Sequence, residues 1–304
     1  MPEWLALLLL VTAGLMLGWL LAIQFLSGRM RTDETEPFNE IYRESGGVPF
    51  LFASLSLGLA TIGWTALTLA EVGWFSTGRL AALWFVAVLL LAFAGRRRLR
   101  RGLRALKPVG ERPPAERSAI LRRFALSSWL EAAALIVWLA AAAWLFFRPH
   151  EFVMGGADAG VYVNTAAQVA EEGSLLIDDP TLAALDPVLY PALLRERQPG
   201  EGTPYYLFPG FNVVVEPAGR VIPDFFHLFP VWQAVVYGAS GVWATLLMPG
   251  LWALLGCLAV YFTVRQEAGW PVAMLALAGL SINALQVWFA RYPVTETLTQ
   301  YLLW

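Results

Sequence analysis

Six stretches of this chain, each near the thickness of a bilayer in helical form, carry almost no charge, and that constrains the fold before any motif is considered. They cover residues 4–26, 49–70, 80–95, 124–147, 242–264 and 270–290. A helix needs about 20 apolar residues to cross the hydrocarbon core. The stretch 80–95 is short, but Arg79 and Arg96 flank it and can snorkel their charges to the interfaces while their stems stay in lipid. Composition agrees, because 58% of the 304 residues are hydrophobic and 14% charged, against about 25% charged in an average soluble domain. The start Met1-Pro2-Glu3-Trp4 lacks the basic region and cleavage site of a removable signal peptide, so the first helix is expected to stay. Cys257 stands alone inside a span and offers no disulfide or thiolate metal site.

Charge placement sets the expected topology. Arg96, Arg97, Arg98, Arg100, Arg101, Arg104, Lys107, Arg112, Arg117, Arg122 and Arg123 make up 11 of the 21 basic residues. A nucleic-acid patch is one reading of such a run. A cytoplasmic connector between two spans is the reading the positive-inside rule favours, and no nucleic-acid partner is expected. Counting from that anchor puts the N-terminus outside, 27–48 inside, Arg79 outside, and about 148–225 in a large external loop. The run from Phe225 onward is too long for one helix, and Pro230, Gly238 and Gly241 interrupt it. It reads as a re-entrant or interfacial helix over 226–239 followed by a span. Arg265 is then cytoplasmic, while Arg291 and Glu296 return to the outer face. Residues 297–304 read as the beginning of another span, so the sequence is expected to be a fragment.

The expected fold is an all-α polytopic membrane protein: a transmembrane helix bundle with a large external loop that contains short helices and a β-hairpin. Residues 1–123 form an N-terminal three-span region with the basic cytoplasmic loop, and 124–304 form a second membrane region, incomplete at its C-terminal end. Within the loop, the spacing of Val161, Ala166, Val169 and Ala170 predicts a helix over 158–173, with Gly155-Gly156 turning the chain ahead of it and Asp158 at its N-terminus. Farther on, Phe211-Asn212-Val213-Val214-Val215, Glu216-Pro217-Ala218-Gly219-Arg220 and Val221-Ile222 read as strand, turn and strand.

Three segments carry a resemblance to a known family. Gly156-Ala157-Asp158-Ala159-Gly160-Val161-Tyr162, Phe226-His227-Leu228-Phe229-Pro230 and Arg291-Tyr292-Pro293-Val294-Thr295-Glu296 together resemble the GT-C superfamily of membrane glycosyltransferases, closest to the protein O-mannosyltransferase and aminoarabinose transferase group. The resemblance covers about 124–304 and implies a cell-envelope hexosyl or pentosyl transferase. It implies a polyprenyl-phosphate sugar donor, a lipid, glycan or protein acceptor, and surrounding membrane lipids. Ala159 follows Asp158 where the family often has a second acid, and three spans precede the matching region. By the resemblance Asp158 is the loop carboxylate and Glu296 the second catalytic acid. Arg291, His227 and Tyr162 fall on substrate-binding positions.

Such chemistry needs a base to take the acceptor proton and a cation to steady the departing phosphate. An ionised Asp, with a reference pKa of about 3.9, serves the first role at neutral pH. The planar fork of Arg291 suits the second. No cofactor and no metal are expected.

Each residue also has a plainer reading. Asp158 reads equally as a helix cap, Arg291 as an interface anchor with Glu296 its neighbour, and His227 as a cap of the re-entrant helix. Asn283 and Gln286 read as interhelical glue, and Asp178-Asp179-Pro180 as a turn rather than a metal site. Glu131 inside a span is either functional or snorkelled. A transporter or flippase of lipid-linked sugars is the alternative function. It would draw its intramembrane polar path from Glu131, Asn283 and Gln286.

Overall fold

The structure is a computed structural model, and it describes residues 3–29, 47–105, 114–150, 158–196, 205–215 and 218–304. Most of the expected 27–48 loop, the middle of the basic connector, Gly155-Gly156 and Glu216-Pro217 lie outside the described residues. The long helices are α1 (Glu3–Arg29), α2 (Gly47–Glu71), α3 (Thr77–Ala105), α4 (Pro114–Phe146), α5 (Asp158–Glu172), α6 (Leu228–Leu246), α7 (Met248–Ala268) and α8 (Trp270–Ser281). Shorter α9 (Ala284–Phe289) and α10 (Glu296–Leu303) follow. Among the described residues, four segments are long and apolar enough to cross a membrane: Pro49–Glu71, Thr77–Ala94, Trp129–Phe146 and Met248–Ala268.

Surface composition fits lipid. Leu83, Val86, Leu90 and Phe93 of α3 are exposed, as are Trp129 and Trp144 near the two ends of the apolar part of α4. A rise of about 1.5 Å per residue sets those two indoles roughly 22 Å apart, the placement of interfacial aromatic belts. Arg148 lies 4.1 Å over the Trp144 ring, a cation–π contact at the same end.

The N-terminal unit is built on small residues. Gly14 and Gly18 of α1, four apart, meet Ser54 and Gly58 of α2 so closely that a Cβ at Gly18 or Gly58 would overlap the facing backbone carbonyl. This is the small-xxx-small contact that lets two apolar helices pack without a hydrophobic driving force. On α1, Ala13, Leu17 and Leu20 then pack with Val88 of α3.

Contacts between helix ends fix their relative directions. Arg265 at the end of α7 is paired with Glu131 of α4, with Nη2 3.0 Å from Oε2, while Gly250 at the start of α7 lies against the Phe146 carbonyl. The two helices are therefore antiparallel. The α2–α3 turn is bonded to the end of α5, Phe75 N donating to Gly173 O at 3.0 Å and Leu175 N to Ala70 O at 3.1 Å. The loop helix and the α2–α3 turn thus share one end of the bundle.

The region between α4 and α6 holds α5 and a five-stranded antiparallel sheet in the order β1-β5-β4-β3-β2. Its strands are β1 (Ile177–Asp178), β2 (Arg195–Glu196), β3 (Tyr205–Phe208), β4 (Phe211–Val214) and β5 (Arg220–Pro223). The expected strand-turn-strand is present as β4 and β5, with Val213 opposite Val221. Three further strands enlarge it into a sheet that covers Tyr190, Val213 and Val221.

Three expectations need correction. The basic stretch is not a loop throughout: α3 continues to Ala105 and α4 starts at Pro114, so most of it extends two helices past their apolar segments. The run 270–290 is not one helix, because Asn283 Oδ1 accepts from Leu285 N at 2.9 Å and caps a new helix, breaking α8 from α9. The last long span starts at Met248 rather than 242, since α6 continues past a kink at Gly241, φ 74°, and Pro249 opens α7.

Candidate functional site

α5 places the first two residues of interest one turn apart. Asp158 is its first residue and is exposed, while Tyr162, four positions on, is 4% exposed and packs into the largest core with Ala159, Ala166 and Val169. The Tyr162 ring is held by two phenylalanines from the entry to α6, Phe225 with centroids 5.4 Å away and Phe229 edge-on at 5.5 Å. The helix pair is parallel, because Tyr237 near the far end of this contact donates to Glu171 at 3.1 Å.

Glu296 reaches the same place from the other end of the chain. The Tyr162 hydroxyl is pushed up to about 12, first by burial and then by the negative charges of Glu296 and Asp158. Both carboxylates therefore act on one phenol. Each stands in the first turn of its helix, α5 or α10, where the helix dipole favours a negative charge. Chemically this is a phenol that stays a donor at neutral pH and feels the charge of two acids.

Arg291 lies in the turn between α9 and α10, half-buried, and its Nε donates to the Leu145 carbonyl at 2.7 Å. The contact ties it to the end of α4, and His150 N returns a bond to Arg291 O at 2.9 Å. Gly250 makes this junction compact, since a Cβ there would stand 3.0 Å from Phe146 O and 3.5 Å from Ala290 O. Among the described residues Arg291 forms no salt bridge, so its terminal nitrogens remain a cation at the same end as the two acids.

His227 is at the N-cap position of α6 but makes no side-chain cap hydrogen bond. Its Nε2 lies 3.4 Å from Pro223 O, a loose link between the end of β5 and the helix. Asp158 and Tyr162 thus lie one turn apart on α5, and the charge of Glu296 bears on the same phenol. No described contact joins the side chains of Arg291 and His227 to either acid.

Sequence reasoning missed the parts that hold these residues in place. Asn212 Nδ2 donates to Asp224 Oδ1 at 3.0 Å, and Asp224 N to Gly210 O at 3.1 Å, which locks the β3–β4 turn beside Phe225. The signal was a polar residue on the buried side of β4. The turn expected at Asp178-Asp179-Pro180 is present, Asp179 capping Pro180–Ala183 through Thr181 N at 2.7 Å, while the pairing of Asp178 with Arg220 at 3.1 Å was not foreseen. Both acids of that pair therefore have structural partners. Among the described residues, no three His, Cys, Asp or Glu side chains gather into a metal set.

Glu131 is held by Tyr261 and Arg265, and Gln286 Nε2 lies 3.8 Å from Cys257 Sγ. Comparison with protein-family models, curated proteins and solved structures found no match for the chain.

Proposed function

We propose that this protein is a GT-C-like glycosyltransferase that moves a sugar from a polyprenyl-phosphate donor to an acceptor at the outer face of a cell membrane. What supports this reading is that the charges of Asp158 and Glu296 both bear on the buried Tyr162 hydroxyl, and that Arg291 is anchored on Leu145 O with no described salt bridge. Asp158 takes the proton from the acceptor hydroxyl as the new glycosidic bond forms at the anomeric carbon. The donor's phosphate leaves with the bonding electron pair. Arg291 steadies that phosphate through its terminal nitrogens, while Nε stays on Leu145. Glu296 and Tyr162 orient the acceptor, the phenol donating to an oxygen of the sugar or phosphate. His227 lines the approach beside the sheet.

The transporter alternative is less well supported, because all three of its intramembrane polar residues are engaged with neighbours, Asn283 as the cap of α9. Glu131 is bonded to Arg265 and Gln286 contacts Cys257. Such an arrangement leaves little for an ionic path.

The deciding experiment uses Asp158→Asn in the purified full-length protein with a radiolabelled polyprenyl-phosphate sugar. The substitution preserves size and hydrogen bonding but removes the proton-accepting charge, so transfer falls at least about a hundredfold, the worth of a positioned general base. Donor binding persists. Near-normal turnover would eliminate Asp158 as the base.

A further inference from the structure

We infer that Trp252 of α7 and Tyr301 of α10 hold one ordered water molecule in a small cavity where α2, α6, α7 and α10 meet. The cavity has a volume of about 20 Å³ and is lined by Leu59, Leu228, Trp232, Trp252, Leu298 and Tyr301. One water needs roughly 10–15 Å³ and two to four polar partners. A lipid chain or a sugar needs far more, since sites for such molecules run to roughly 300–1,000 Å³.

Two of the lining residues supply partners. Trp252 is 1% exposed and Tyr301 5%. Among the described residues, neither the indole nitrogen of the one nor the hydroxyl of the other has a hydrogen-bond partner, although the two rings are in contact with centroids 5.4 Å apart. An indole N–H only donates, whereas a phenol donates and accepts. A water between them therefore accepts from Trp252 Nε1 and donates to Tyr301 Oη. Ser56, three residues before Leu59 and on the same face of α2, bears on the same phenol without closing a hydrogen bond to it. Its own proton goes to Phe52 O at 2.9 Å, which leaves a lone pair for the water's second hydrogen. The donor is held in place from α6, because Trp232 fits against Gly63 and lies edge-on to Trp252 with centroids 5.3 Å apart. Without a partner, the buried N–H and hydroxyl would each carry the full cost of their lost hydration. The water removes that cost and ties α10 to α7 and α2. Its anchor on α10 is five residues from Glu296, roughly 7.5 Å along the helix. The inference concerns packing alone and is independent of the transferase reading.

Thermal denaturation of the full chain in one detergent tests it. Tyr301→Phe keeps the ring and should lower the melting temperature by roughly 2–4 °C, the worth of about one hydrogen bond in a chain of this size. In the Trp252→Phe background, where the water has lost its donor, the same change should cost about half as much or less. Equal costs in the two backgrounds would overturn the inference. So would a Tyr301→Phe variant that melts with or above the unsubstituted protein, since removing an orphaned hydroxyl brings relief rather than loss. If Ser56→Ala abolishes the effect of Tyr301→Phe while Trp252→Phe does not, the phenol bonds Ser56 directly and the water is excluded. A crystal structure of the unsubstituted protein that resolves ordered water needs no variant. One isolated density peak should lie roughly 2.7–3.2 Å from both Trp252 Nε1 and Tyr301 Oη. No peak there, or the continuous density of a lipid or detergent chain, would refute the site.

Discussion

Tyr162 separates packing from chemistry at a single residue, since its ring lies against Phe225 and Phe229 while its hydroxyl is held up by burial and by the charges of two acids. Tyr162→Ala should cost about 3–5 kcal/mol, the usual loss on truncating a buried aromatic. Tyr162→Phe retains the ring and should leave the melting temperature in detergent nearly unchanged while slowing sugar transfer. The raised value of about 12 also has a sign. The folded state holds a proton that the unfolded chain releases near pH 10, so stability contributed by this group is complete below about 10 and declines as pH rises toward 12. Melts of the unsubstituted protein at pH 9 and pH 11 should differ more than those of Tyr162→Phe, and equal slopes would sink the raised value, whose first cause is burial. Arg291→Lys is expected to act differently again. Lysine cannot both donate to Leu145 O and present a planar fork, so donor affinity should weaken by roughly tenfold with the fold retained. Titration of the purified variant with a polyprenyl-phosphate sugar measures this directly.

Pairs of elements, rather than single helices, explain where the sequence was readable. The amphipathic spacing of Val161, Val169 and their neighbours announced α5 with Asp158 at its start, because that signal is local. The break between α8 and α9 was not announced. Residues 270–290 are uniformly apolar, and whether Asn283 bonds to a neighbouring helix or caps a new one is decided by its surroundings. β3 escaped for the opposite reason: Tyr205 to Phe208 and the Pro209-Gly210 turn were visible as local signals, but a strand is fixed by its partner, here Tyr206 opposite Val213. Gly14 and Gly18 read as ordinary members of an apolar run until Gly58 stands against them. The Glu131–Arg265 pair is another such case, two charges 134 residues apart whose meaning is mutual. Removing one partner should cost about 3–5 kcal/mol, because the other is left partly buried and unpaired, whereas Glu131→Gln with Arg265→Gln should cost less than the sum of the single changes. Thermal denaturation of the four proteins in one detergent gives the coupling.

At the scale of the whole molecule, a common influence of Asp158 and Glu296 on Tyr162 was legible only through the family resemblance, since the two acids lie in segments whose approach depends on how α6 and α7 turn back. α6 begins beside Tyr162, and its successor α7 begins beside Phe146, so both ends of α6 lie at the site end, as the interrupted run after Phe225 had suggested. Sidedness follows from charge rather than from packing, and it can be measured. Ala184 is exposed in the sheet region. Ala105 ends α3, which starts at the turn bonded to Gly173 and runs 29 residues away from it, roughly 43 Å at the helical rise. The two positions are therefore at opposite ends of the bundle. The natural Cys257 is buried and contributes little background. An impermeant thiol reagent applied to intact cells should label Ala184→Cys and leave Ala105→Cys untouched until the membrane is opened, the outcome the positive-inside rule predicts for an arginine-rich end. The reverse pattern would place Asp158, Arg291 and Glu296 inside the cell and remove the outer-face donor from the proposed reaction. Equal labelling of both before permeabilisation would mean that α3 does not span a membrane, which would overturn the expected bundle topology.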